Sequence, residues 1–122
     1  MKLVLLIFLG GGLGSALRYS IGKALNVLYT PYPLGTLLVN LLGCLLLGLL
    51  FGLFQNRILS ETHYVLFATG FCGGFTTFSA FALENYLFSK SGDLQIAIFY
   101  TLGSIILGIL AVGLGLWFSK LL

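Results

Sequence analysis

An all-α integral membrane protein with four transmembrane helices is the fold this sequence predicts. Three observations carry that prediction. Hydrophobic residues fill 59% of the 122 positions and charged residues only 7%, whereas a soluble domain carries charge on about a quarter of its residues. Four apolar stretches each approach or exceed the roughly 20 residues that a helix needs to cross hydrocarbon. The connections between them are short and hold four of the nine charged residues together with turn formers such as Pro31 and Gly92.

The first span is placed at about residues 3–24, where the run Leu3–Leu17 continues past Arg18 to Ala24. Met1-Lys2 followed by LVLLIFLG and a Gly-Ser-Ala stretch also suits a cleaved signal peptide. Against that, the apolar pattern resumes after Arg18 instead of giving way to a polar mature domain. The second span, about 33–54, has no charge at all. The third apolar run goes from Thr62 to Leu83 and ends near Glu84 and Asn85, so that span is placed at about 62–87. The fourth, about 94–119, is again uncharged. The connections fall at Asn26–Tyr32, beside the prolines, at Gln55–Glu61 and at Ser89–Asp93. The chain thus reads as one integral membrane domain.

Several function classes are excluded. The net charge of +3 comes from scattered residues, and nucleic-acid binding needs clustered Lys and Arg. GGGLGS at Gly10–Ser15 follows no strand and lacks the dinucleotide spacing. There is no phosphate-binding GK[ST] run, no paired carboxylate set and no Cys/His cluster. No enzyme motif stands out and nothing couples the chain to ATP, which leaves a passive pore or an ion-coupled carrier. Cys44 and Cys72 are expected to fill helix interfaces as small apolar groups. His63, near the start of a span, cannot build a metal site alone and reads as an interfacial polar residue.

Orientation is nearly balanced. With four spans, both termini and the Gln55–Glu61 loop share one side, which holds Lys2, Arg57 and Lys120. The other side holds Lys23 and Lys90, plus Arg18 if it reaches the interface. The positive-inside rule needs a clear excess, so such a chain can insert both ways and pair antiparallel; a one-residue bias favouring a single orientation is the competing reading. Gly10/Gly14, Gly48/Gly52 and Gly70/Gly74 each stand four apart, the spacing that lets membrane helices approach closely.

The third span carries the richest chemistry. GFCGGFTTFSAF at Gly70–Phe81 weakens its own helix at membrane depth, and a helix break is expected near Gly73–Thr77. Backbone freed there must be covered by protein or line a cavity. Phe75, Phe78 and Phe81 recur every three residues, and an aromatic edge carries positive character that favours an anion. Free carbonyls at the break would equally suit a hard cation such as Na⁺. In the second span Asn40 brings amide donors, with Thr36 one turn earlier on the same face; an interhelical hydrogen bond is the plainer reading. In the fourth, Tyr100, Ser104 and Gly108 line up one turn apart, either as a hydroxyl strip or as local back-bonding to helix carbonyls. Arg18 reads as functional or snorkelling, Glu84 as functional, capping or ion-paired.

GGGLGSALRY at Gly10–Tyr19, GTLLVNLLG at Gly35–Gly43 and GFCGGFTTFSAF at Gly70–Phe81 together resemble the Fluc (CrcB) family of fluoride channels, in order, spacing and length. The resemblance implies an antiparallel, dual-topology homodimer embedded in the lipid of a bacterial plasma (inner) membrane. It implies two pores that let cytoplasmic fluoride leave passively, conferring fluoride resistance. The pore phenylalanines map to Phe78 and Phe81, the pore asparagine to Asn40 beside Thr36, and the fourth-span strip to Tyr100 and Ser104. Arg18 and the motif hydroxyls Thr77 and Ser79 are counted with the pore. A structural Na⁺ at the dimer centre maps to the backbone carbonyls of Gly73 and Thr76. Ala80 and Gly108 depart from the family's hydroxyl positions. The readings from other classes are a small four-span dual-topology multidrug exporter, which needs a membrane-embedded carboxylate, and a non-transporting membrane scaffold.

Overall fold

A computed structural model describes residues 1–25 and 32–122. The expected connection at Asn26–Tyr32 lies outside the described residues apart from Tyr32. Four helical segments are long and apolar enough to cross a membrane. The first is α1 (Lys2–Leu25) and the second α2 (Leu34–Gln55). The third, Glu61–Ser91, is composite. Its first part, α3 (residues 61–75), has α-helical turns at Glu61–Tyr64 and Gly73–Phe75 around a π-helical stretch at Val65–Cys72. Its second part is α4 (Phe78–Ser91), and the fourth segment is α5 (Leu94–Ser119).

The expected spans hold to within a residue at most ends, but the third runs four residues further than 87. The reason is local: Gly92 takes the left-handed conformation at φ 90° and closes α4, with Asp93 N–H donating to Phe88 O at 2.9 Å. Left-handed backbone suits a residue without Cβ, so the helix runs up to its glycine. The turn after α2 has the same hydrogen-bond pattern, with Ile58 N–H donating to Leu53 O at 3.0 Å. There Arg57 takes the left-handed position, at φ 59°.

Glycine sets how the helices meet. In lipid, apolar side chains gain little by leaving one helix surface for another, so close backbone approach dominates association. A Cβ on Gly10 would strike the carbonyl of Leu66, one on Gly14 that of Phe71, and one on Gly74 that of Gly11. These contacts seat α1 on α3. A Cβ on Gly48 would strike Val112 O, and one on Gly115 would strike Leu45 O, which seats α2 on α5. All three expected glycine pairs therefore lie at helix crossings. Cys72 is buried with Leu50 and Ala68, as an apolar filler would be, and both cysteines are free thiols. Much of the remaining apolar surface faces outward, as with Phe99 at 75% and Ile109 at 68% exposure.

Candidate functional site

The third span loses its helix at two residues. Thr76 (φ −81°, ψ 159°) and Thr77 (φ −148°, ψ 124°) are extended, and helix resumes at Phe78. In a continuous helix the Thr77 N–H would bond Gly73 O. Here it donates to Asn40 Oδ1 at 2.8 Å, while Asn40 Nδ2 donates to Thr77 O at 3.0 Å. The primary amide thus pairs with both polar groups of one residue, as a neighbouring β-strand would. One of the two Nδ2 hydrogens is used in this way.

The surrounding side chains satisfy several of the other freed groups. Thr77 Oγ1 accepts from Ala80 N–H at 3.2 Å and so caps α4. The same hydroxyl lies 3.2 Å from Ser79 Oγ. Thr76 Oγ1 donates to Cys72 O at 2.9 Å. Gly74 O accepts from Arg18 Nε at 3.1 Å and from Ser15 Oγ at 3.2 Å. Arg18 is therefore turned inward to the last helical turn before the extended residues; snorkelling does not describe it. Gly73 O and Thr76 O are left without their usual partners, because the amides four residues on, Thr77 and Ala80, are bonded elsewhere.

Glu84 fastens α4 to two other helices. Its Oε1 accepts from Thr36 Oγ1 on α2 at 2.5 Å, and its Oε2 accepts from Tyr100 OH on α5 at 2.8 Å. Glu84 thus serves as an acceptor for two hydroxyls, and among the described residues it forms no ion pair. Asn85 makes a further connection: Thr101 Oγ1 donates to Asn85 Oδ1 at 2.8 Å, and Asn85 Nδ2 donates to Phe81 O at 3.0 Å.

The phenylalanines that recur every three residues, Phe75, Phe78 and Phe81, which on a continuous helix would form one slanted stripe, are split by the extended residues. Phe75 precedes them and is buried, stacked on Phe71 with ring centroids 5.5 Å apart. Its role is packing. Phe78 and Phe81 follow them, with centroids 5.9 Å apart and planes tilted by 44°. Phe81 also lies 5.1 Å from the Tyr100 ring. Phe78 is 79% exposed.

Two cavities meet at Thr77. One is an open groove of about 540 Å³ whose lining includes Asn40, Thr77, Phe78, Phe81 and Ser104, and no charged residue. Ser104 Oγ is buried there with no hydrogen-bond partner among the described residues, which excludes the back-bonded alternative. The other cavity, about 470 Å³, is lined by Arg18, Lys23, Thr36, Thr77 and Glu84 among others. The structure therefore brings Arg18, Thr36, Asn40, Gly73, Thr76, Thr77, Ser79, Phe78, Phe81, Tyr100 and Ser104 into one region. Within it, Thr36 and Tyr100 donate to Glu84 instead of extending a free hydroxyl strip. Asn85, Thr101 and Ser15 were missed from the sequence. Glu84 carried a visible signal as an acidic group at the edge of an apolar run; the other three are ordinary polar residues that only tertiary contact singles out.

Comparison with known proteins places the chain in a family. The family described as CrcB-like protein, Camphor Resistance (CrcB), matches residues 5–116. The chain belongs to this family. It is 44% identical over 121 residues to a protein from Phocaeicola vulgatus, covering 98% of this chain and 100% of the relative. It is 45% identical over 125 residues to one from Chloroflexus aurantiacus, covering 98% and 99%. A third, from Azobacteroides pseudotrichonymphae, is 44% identical over 117 residues, covering 94% of each chain. Each of these CrcB relatives is named fluoride-specific ion channel FluC.

The Asn40–Thr77 pair yields a direct prediction. Asn40→Leu keeps bulk but strips Thr77 N–H and C=O of their partners, each costing about 1–3 kcal/mol when buried. The variant is expected to unfold at lower temperature in detergent and to exchange the Thr77 amide hydrogen faster. Unchanged melting together with unchanged exchange would show that Asn40 does not hold this segment.

Proposed function

We propose that the chain is a fluoride-selective channel that lets cytoplasmic fluoride leave passively and so confers fluoride resistance. The observation that carries this reading is the uncharged groove lined by Phe78, Phe81 and Ser104, whose hydroxyl has no hydrogen-bond partner among the described residues. Fluoride gives up strong hydration on entering a membrane. Polarised ring edges, a hydroxyl and the spare Asn40 N–H offer weak donors in series, which allow release where a fixed positive charge would hold the ion. Arg18 and Lys23 in the adjoining cavity outnumber Glu84 and favour an anion's arrival. No fuel is required, since a membrane potential supplies about 2.3 kcal/mol per charge per 100 mV. The setting is a bacterial inner membrane. The multidrug-exporter reading is less well supported, because the Glu84 carboxylate already accepts two hydroxyl donors.

The functional unit is an antiparallel homodimer. Phe78 is exposed on a single chain and the groove is open, which supports a second copy closing each pore. A structural Na⁺ belongs at the centre. Gly73 is exposed, with open space around its α-carbon, and its carbonyl and that of Thr76 have lost their helical partners. Hard cations take such oxygens, and a two-fold axis doubles two carbonyls to four.

Liposomes holding the purified protein are expected to release fluoride when a counter-ion path is opened. Phe78→Ile and Phe81→Ile keep bulk but lose the polarised edge, and each should slow release by about tenfold or more, equivalent to some 1.4 kcal/mol of barrier. Assembled variants releasing fluoride at the unmodified rate would refute the pore assignment.

Dual insertion is tested at the N-terminus. A cysteine placed at Lys2, in a background lacking Cys44 and Cys72, should be labelled by impermeant reagents from both faces of the membrane. Labelling from one face alone would rule out the antiparallel dimer.

Exchange of all Na⁺ for a large organic cation should dissociate the dimer on gel filtration or stop fluoride release. Full assembly and full release after that exchange would remove Na⁺ from the account.

A further inference from the structure

We infer that Thr101 and Asn85 are positioning residues for Phe81, an inference that rests on the fluoride-pore reading above. Neither lines the groove. Their effect runs through hydrogen bonds. The Phe81 carbonyl accepts an additional donor, Asn85 Nδ2, at 3.0 Å, and Asn85 Oδ1 accepts from Thr101 Oγ1 at 2.8 Å. An unbroken path therefore leads from α5 to the peptide group that carries the Phe81 ring. The residue before Thr101, Tyr100, meets that ring itself at 5.1 Å. Phe81 is held at its ring by one residue of α5 and at its backbone by the next.

The need for such a hold follows from the extended residues. Because Thr76 and Thr77 interrupt the helix, α4 is not continuous with α3 and its first turns can rotate about their own axis. Glu84 ties α4 at one azimuth, to Thr36 and Tyr100. Asn85 follows it at about 100° around the helix, and its tie to Thr101 supplies the second point that stops rotation. Rotation is the motion that matters, because it turns the Phe81 edge away from the groove. Thr101 and Asn85 thus set the angle at which the ring meets the ion while staying out of its path.

The test reads fluoride current per assembled pore in planar bilayers, a quantity that does not change with the fraction of protein that folds. Thr101→Val is nearly isosteric and removes only the donor; Asn85→Leu removes both bonds. Each is expected to lower current per pore by about 2–10-fold, the equivalent of one ordinary hydrogen bond. The double variant should be no worse than the poorer single one, because the two act in one path. Thr101→Ser restores the hydroxyl and should restore the current. Phe81→Ile is recorded alongside. If it loses current while Thr101→Val and Asn85→Leu conduct normally, the positioning role is wrong and the pore reading stands. If Phe81→Ile also conducts normally, both are wrong. A Thr101→Ser variant as poor as Thr101→Val would likewise overturn the hydroxyl's role. Should Asn85→Leu fail to assemble, Thr101→Val and Thr101→Ser decide the matter alone.

Discussion

A hydrocarbon interior offers no water to an unpaired peptide group, and this constraint governs the arrangement around Thr76 and Thr77. The extended backbone there is tolerable because Asn40 supplies both a donor and an acceptor to Thr77. Other contacts follow from it. Gly74 O, released by the same interruption, draws in Ser15 and Arg18 from α1. Gly43, one turn beyond Asn40 on α2, leaves room for the Thr76 methyl, which any Cβ there would strike. Side chains of α1 and α2 thus converge on the stretch Gly74–Thr77, with side-chain polarity replacing the helix's own hydrogen bonds.

The scaffold that allows this convergence is largely made of absence. Gly10, Gly14 and Gly74 bring α1 and α3 to backbone contact, while Gly48 and Gly115 do the same for α2 and α5. The polar contacts then link the pairs to each other: Asn40 reaches from α2 to the third segment, and Glu84 reaches from α4 to α2 and α5. Glu84, held by two hydroxyls, and the inward-turned Arg18 line the same cavity without a direct ion pair among the described residues.

Much of the fold was legible in the sequence because spanning length and charge depletion are local properties. The four spans, the glycine crossings and the polar cluster around Gly70–Phe81 all follow from runs and spacings. What was not legible depends on partners distant in the chain. Asn40 stood out as a buried amide, but nothing in its surroundings announced that both ends serve one residue 37 positions away. The π-helical stretch at Val65–Cys72 has no compositional sign in VLFATGFC. The phenylalanine periodicity misled for a physical reason: a period of three implies one stripe only if the helix is continuous, and it is not. Glu84 looked peripheral because a linear reading places it at the end of an apolar run. In space, it sits where three helices meet.

The turn after α2 has a consequence of its own. Arg57 occupies left-handed backbone that a glycine would enter with less strain, by about 1–2 kcal/mol. The same residue is one of three basic side chains assigned to its face of the bilayer, against Lys23 and Lys90 opposite, once Arg18 is removed from the tally by its bond to Gly74. A single exchange to glycine would therefore relax the turn and level the count at two against two. Local comfort of the chain and the balance of basic charge across the bilayer are thus coupled at one residue, so the loop cannot be changed for either without moving the other.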